Sequence, residues 1–166
     1  MKSIITIPMR VGIGVDFHRF ALGRKLILGG VEIPYEKGLT GHSDADVLTH
    51  AICDALLGAA ALGDIGTHFP DTDSQYTGIS SLTLLDSVYH KLKEKGFLPH
   101  NVDSVVIAEA PKIAPYISSM ILNLSRTLQI SPEHICIKAT TAEQMGAIGR
   151  REGIMAQAVA TVIKHT

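Results

Sequence analysis

Asp16 and His18 stand one residue apart in Gly-Val-Asp-Phe-His, at the end of an alternating stretch rich in Val and Ile. In a β-strand, side chains i and i+2 leave the same face. Residues 10–18 are therefore predicted to be a strand that aims a carboxylate and an imidazole at one point. His50, in a helix-like stretch further on, is the candidate third donor. A carboxylate and two imidazoles make a three-ligand zinc site with its fourth position open, the arrangement of catalytic rather than structural zinc. No other feature constrains the fold as much, because one strand and one helix must bring these groups together. Spacing alone leaves the plainer reading open, in which His50 is a buried histidine hydrogen-bonded in its helix.

The surrounding pattern fills in the elements. Lys25 to Pro34 reads as two short strands around Gly29-Gly30, a hairpin signal. Ser43 followed by Asp46 resembles a capping box, opening a helix from Asp44 to about Leu62 that Gly63 stops. Asp46, His50 and Asp54 recur at i+4 and share one face of it, so both aspartates are candidates to orient the imidazole. Residues 63–78 read as a long polar loop, which in a compact domain is usually functional. A helix over 80–95, a strand over 101–108, a helix over 111–128 and a strand over 134–140 follow. A Gly-rich loop then runs to Gly153, and a last helix covers 154–164. The order implies one α+β domain over residues 1–166, a ferredoxin-like mixed four-stranded sheet with helices on one face plus a small β-hairpin.

Composition narrows the function classes. The 166-residue chain carries a net charge of −1 and only 5% aromatic residues, without Trp. It lacks the basic stripe of a phosphate-backbone binder and the stacking platforms for single strands, so no nucleic acid is expected. No segment reaches the ~18 uninterrupted apolar residues of a membrane span. The opening residues are too short for a signal peptide, which makes the cytoplasm the expected location. Cys53 and Cys136 are isolated and read as buried reduced thiols.

Two further clusters could carry chemistry. Gly41-His42-Ser43 precedes a helix start, where free N–H groups favour anions. It reads equally as a phosphate cradle or as an ordinary serine cap. Thr140, Thr141 and Glu143 gather at a strand end, where hydroxyls could hold phosphate oxygens and the carboxylate a hard divalent cation. The plain alternative is a hydroxyl turn with a surface glutamate. Arg150 and Arg151 could pair with phosphate or be solvated. Asp71 and Asp73 could bind hydroxyls or shape the turn after Pro70. His68, His90, His100, His134 and His165 are scattered and read as surface residues. Gly12-Ile-Gly14 is no dinucleotide fingerprint, and there is no Walker loop or nucleophile elbow.

Taken together, Gly-Val-Asp-Phe-His-Arg-Phe, Ile-Pro-Tyr-Glu-Lys-Gly, His-Ser-Asp-Ala-Asp-Val-Leu-Thr-His, Phe-Pro-Asp-Thr-Asp, Ala-Pro-Lys and Lys-Ala-Thr-Thr-Ala-Glu-Gln-Met-Gly resemble one family, the 2-C-methyl-D-erythritol 2,4-cyclodiphosphate synthases. The likeness spans about residues 10–164. It implies an enzyme of the non-mevalonate isoprenoid pathway, a phosphorus–oxygen lyase acting on a cytidine diphosphate substrate and releasing CMP. It implies a homotrimer with active sites between subunits, and the short N-terminal extension is expected to add no fused cytidylyltransferase domain. It implies Zn²⁺ on Asp16, His18 and His50, and Mg²⁺ or Mn²⁺ at Glu143. His42 and Thr141 match positions that position the diphosphate and stabilise the transition state.

Substrate contacts are implied at Ser43, at Asp64, Ile65 and Gly66, and at Phe69, Pro70, Asp71, Thr72 and Asp73. The cytidine end would meet Ala108, Pro111, Lys112, Ile113 and Ala114, with Ala139, Thr140, Ala142, Ala147 and Arg150 nearby. Ala142 and Ala147 stand where some members carry Thr and Phe, which implies looser contacts there. The competing readings are a zinc-dependent hydrolase of a phosphorylated small molecule and a non-catalytic ligand-binding module.

Overall fold

Two glycines decide how the first strand meets the first helix. In the computed structural model, which describes residues 8–165, β1 spans Met9–Leu22 and α1 spans Val47–Ala59. Gly12, Gly14, Asp16 and His18 share the β1 face turned toward α1. A Cβ on Gly14 would sit 1.9 Å from the Ala51 carbonyl oxygen, and one on Gly12 would sit 2.1 Å from that of Ala55. Strand backbone thus touches helix backbone. The opening residues 1–7, read above against a signal peptide, lie outside the described residues.

The chain continues through β2 (Leu26–Leu28), β3 (Val31–Ile33) and β4 (Lys37–Leu39) to α1. Then come α2 (Ile65–His68), α3 (Ser81–Glu94), β5 (Phe97–Ile107), α4 (Ile117–Leu128), β6 (Ile135–Thr140), α5 (Gly146–Gly149) and β7 (Gly153–Lys164). The main sheet runs β4-β1-β7-β5-β6, with β2 and β3 forming the expected hairpin. β5 and β6 are parallel, joined by α4, and the other neighbours in the main sheet are antiparallel. α1 packs on β1 and β7, α3 on α1 and β5, and α4 on β6. This is the α+β plan with a mixed sheet and helices on one face.

The sheet has five strands rather than four, and the reason is β7. Residues 154–164 were expected as a helix, because Ala and Met are good helix formers. They form the central strand instead. Ile154, Ala156, Ala158, Ala160 and Val162 are all buried, every second residue facing the helices. The alanines there are small because α1 lies so close. The helix expected from Asp44 starts at Val47, because Ala45 adopts a left-handed backbone (φ 60°) and Asp46, not Ser43, caps it through Thr49 N–H at 3.0 Å. The helix expected at 111–128 starts at Ile117, after a 3-10 turn at Ala114–Tyr116. Cys53 is buried as expected, but Cys136 on β6 is exposed.

The opposite face of the sheet lies bare. Val11 (66% exposed), Ile13 (60%) and Phe17 (60%) project from β1 beside Val159 of β7. Apolar surface this extensive normally marks an association site.

Gly14→Ala is expected to destabilise the protein by at least about 2 kcal/mol, since neither backbone can retreat without disturbing the core. Urea denaturation would show this as a lower midpoint at unchanged slope.

Candidate metal centre

β1 and α1 converge on one cluster. His18 Nε2 lies 2.9 Å from Asp16 Oδ2, and His50 Nδ1 lies 3.1 Å from the same oxygen. The two imidazole nitrogens are 3.2 Å apart. Donor atoms bound to one ion at ~2.05 Å with tetrahedral angles stand about 3.3 Å apart. The spacing of these three atoms therefore fits a single divalent ion, and a carboxylate with two imidazoles is a suitable donor set.

The outer nitrogens are also engaged. His18 Nδ1 donates to the Thr40 carbonyl at 2.5 Å, which leaves Nε2 with its lone pair facing the cluster. His50 Nε2 meets the hydroxyls of Ser81 at 2.9 Å and Ser43 at 3.1 Å. Burial works against the charged form of Asp16. Hydrogen bonds from His18 and His50 outweigh it and hold the carboxyl well below the usual range. Burial likewise disfavours the His18 cation, but Asp16 wins and raises the imidazole above its ordinary value.

The i+4 stripe on α1 divides its labour differently from expectation. Asp46 is fully buried and accepts from Thr49 N–H, the Thr49 hydroxyl and the Gly30 N–H at 2.8 Å, tying the hairpin to the helix start. Asp54 accepts Ile65 N–H at 2.7 Å and so anchors α2. Burial first, then the charges of Asp64 and Asp16, push its carboxyl upward. Neither carboxylate is hydrogen-bonded to the His50 ring; the hydroxyls of Ser81 and Ser43 are.

A cleft of about 460 Å³ opens over the cluster. It is lined by Asp16, His18, Gly41, His42, Ser43, His50, Asp54 and Leu84, with Ile65, Gly66, Phe69, Pro70, Asp71 and Tyr76 on one wall. The 63–78 segment, expected as loop, carries α2 and a 3-10 turn at Ser74–Tyr76. Asp64 caps α2 through Thr67, and Asp73 caps the 3-10 turn through Gln75 N–H. Thr72, like Asp64 and Asp73, is absent from the cleft lining. His42 Nε2 meets the Asp73 carbonyl at 3.0 Å and the Thr77 hydroxyl at 3.1 Å, which pins it beside that wall.

The second group of expected residues lies elsewhere. Thr140 ends β6, and its register row runs through Ile107 and Met155 to Phe17 of β1. Three strand steps of ~4.8 Å put that row's ends roughly 14 Å apart. Thr141 donates to Glu143 at 2.9 Å, and both are exposed. Glu143 and Gln144 hold left-handed backbones, and Glu109 accepts from Ala142 N–H at 3.0 Å and Gln144 N–H at 2.9 Å to secure that turn. Ala108 joins it through its N–H to the Thr140 carbonyl at 3.0 Å. Pro111, Lys112, Ile113 and Ala114 follow on the neighbouring loop, and Ala139 precedes on β6. Ala147 lines a smaller cavity of about 240 Å³ with Phe17 and His18, while Arg150 pairs with Glu152 at 2.6 Å. Tyr76, Leu84, Asp44, Ser81 and Glu109 escaped sequence reasoning. Only the place of Ser81 at a helix start hinted at a role.

A YgbB family signature matches residues 9–163. The chain belongs to the YgbB family.

Relatives in that family include the 2-C-methyl-D-erythritol 2,4-cyclodiphosphate synthase of Alkaliphilus metalliredigens, 62% identical over 93% of this chain and 97% of its own. The protein of the same name from Chloroherpeton thalassium is 58% identical over 94% and 99%. Among solved structures, the Plasmodium falciparum IspF–CDP complex superposes with a TM-score of 0.83 at 33% identity, covering 97% of this chain and 99% of that one. The bifunctional IspDF of Campylobacter jejuni gives 0.92 at 41% identity over 96% of this chain, which spans 43% of that longer protein. Among the described residues, no helix is long and apolar enough to cross a membrane.

Affinity for a divalent cation is expected to rise between about pH 6 and about pH 8, because the raised His18 must lose its proton before it can ligate. Zn²⁺ titrations against a chelator at the two pH values check this, after correction for the chelator's own protonation.

Proposed function

We propose that this chain is a 2-C-methyl-D-erythritol 2,4-cyclodiphosphate synthase. It converts 4-diphosphocytidyl-2-C-methyl-D-erythritol 2-phosphate to the 2,4-cyclodiphosphate and CMP. The observation that carries this is a carboxylate and two imidazoles at tetrahedral spacing in a cleft, in a chain whose relatives bear that name. The products make it a phosphorus–oxygen lyase of the non-mevalonate isoprenoid pathway, working in the cytoplasm. The whole of residues 1–166 serves as one synthase domain.

In the reaction, an oxygen of the substrate's 2-phosphate forms a bond to the β-phosphorus, and the bond to the bridging oxygen breaks to release CMP. The attacking phosphate is already an anion, so no strong general base is required. Charge is the obstacle: like charges ~4 Å apart repel by about 4 kcal/mol at an effective dielectric near 20. Asp16, His18 and His50 would hold Zn²⁺, and Glu143 Mg²⁺ or Mn²⁺, and such ions would supply the opposing charge when bound.

The chain's own residues do the positioning. His42, fixed by Asp73 and Thr77, and Ser43 offer donors to the diphosphate beside the cluster. The wall from Asp64 to Asp73 encloses the methylerythritol end and keeps the folded substrate near its ring-closing shape, which removes much of the entropy cost. Thr141 contributes a hydroxyl to the diphosphate. Ala142, Ala147 and Arg150 contact the substrate, and Ala108 to Ala114 with Ala139 and Thr140 form the cytidine side.

The cytidine side would come from a neighbouring subunit. The roughly 14 Å across the sheet between the two groups supports this, since one small substrate must touch both. A homotrimer that buries the bare faces of three sheets would bring the groups together. The zinc-dependent hydrolase reading is not favoured, because the relatives carry the synthase name.

Incubating the purified protein with substrate and Mg²⁺ should give CMP and cyclic product in equal amounts. Linear phosphorylated products in their place would sink the synthase reading. His50→Ala should lose bound metal and CMP release together, and Thr141→Ala should slow turnover by roughly 10²–10³ while keeping the metal.

A further inference from the structure

His50 turns its two nitrogens to two different neighbourhoods. Nδ1 faces Asp16 and His18, whereas Nε2 faces Ser81 and Ser43. A neutral imidazole carries one proton, and only the bare nitrogen can bind a metal. Something in the chain must therefore choose between them.

Ser81 is fully buried, and its hydroxyl lies within hydrogen-bond reach of Asp44 Oδ1. Asp44 Oδ2 accepts the Ser81 N–H at 3.0 Å, and Oδ1 also accepts the Asp46 N–H at 3.2 Å. A carboxylate has no proton to give, so the single hydroxyl proton of Ser81 goes to Asp44. Its lone pairs are left for His50. The 2.9 Å contact is then a hydrogen bond only when Nε2 bears the proton. Nδ1 is thereby left bare for a metal, whereas without one the Asp16 carboxylate 3.1 Å away draws the ring proton toward Nδ1.

The place of Asp44 suits this task. Ser81 is the first residue of α3, and the preceding Ser80 makes no side-chain cap bond. Asp44 caps this helix from outside, accepting the Ser81 N–H at 3.0 Å where the helix dipole favours negative charge. Ser43 is the secondary partner at 3.1 Å, and its hydroxyl proton is not committed to a carboxylate.

We propose that Asp44 and Ser81 are positioning residues that fix the tautomer of His50 and aim its Nδ1 at the metal. The proposal rests on the reading of Asp16, His18 and His50 as a metal centre. It explains why the serine at the head of α3 is buried against an imidazole from α1. Ser81→Ala removes the hydroxyl but keeps the N–H that Asp44 accepts, so the α3 cap survives. Asp44→Asn does something different. Its amide NH₂ donates to the Ser81 oxygen, the Ser81 proton turns to Nε2, and the ring proton moves to Nδ1.

The test combines three measurements on the full-length protein and both variants. These are Zn²⁺ dissociation constants by chelator competition, urea midpoints, and long-range ¹H–¹⁵N spectra of the imidazoles in the Zn²⁺-loaded protein near pH 8. The loaded wild type should show His50 protonated at Nε2 with Nδ1 on the metal, and Asp44→Asn should bind Zn²⁺ more weakly than the wild type. Ser81→Ala should bind Zn²⁺ about 10- to 100-fold more weakly with its urea midpoint nearly unchanged. Wild-type protonation at Nδ1, or Zn²⁺ binding by Ser81→Ala as tight as the wild type's, would overturn the relay. A wild type that binds no Zn²⁺ would overturn the metal-centre reading and the relay with it, which sets that outcome apart from the failure of the relay alone.

Discussion

Everything at the centre depends on the contact between β1 and α1 without a side chain between them. Gly14 presses on the carbonyl of Ala51, the residue after His50, and Asp16 and His18 follow on the same strand face. Metal–ligand distances tolerate only about 0.2 Å. A methyl group wedged between strand and helix would move the two by far more than that. The small residues on β7 (Ala156, Ala158 and Ala160, all buried) extend the same close approach to the next strand. Packing and ligation are thus one geometric requirement met by the same residues.

Around this centre, orientation comes from loops and helix starts rather than from α1 itself. Thr40 holds the outer nitrogen of His18, and Ser43 and Ser81 hold that of His50. Asp46 and Asp54 brace the hairpin and α2, so they shape the cleft at one remove. The division makes chemical sense. A carboxylate placed directly on each imidazole would add two charges to a site that must receive a polyanion. A carbonyl and a pair of hydroxyls orient the rings without that repulsion.

The sequence revealed the parts governed by local periodicity. The Asp-x-His pair needed only strand alternation, and α1 and α3 stood out through apolar spacing, although α1 ends at Ala59, ahead of the expected stop at Gly63. β7 did not, because its alanines satisfy two rules at once. They favour a helix in isolation, yet alternate with period two where a neighbouring helix demands small side chains. Tertiary contact overrode intrinsic preference. The start of α1 was misplaced because Ala45 takes a backbone that alanine rarely adopts. Ser81 and Glu109 were invisible for a different reason: their partners lie more than thirty positions away. The distance between the Asp16 and Thr141 groups was equally hidden, since it follows from strand order and not from any motif.

The uncovered sheet face also has a kinetic meaning. A newly made chain presents Val11, Ile13, Phe17 and Val159 to water until they find cover. If copies of itself supply that cover, the waiting time is set by molecular encounters and shortens as the chain accumulates. Slow synthesis would then leave each molecule adhesive for longer, while a burst of synthesis favours orderly pairing only if folding outruns collision.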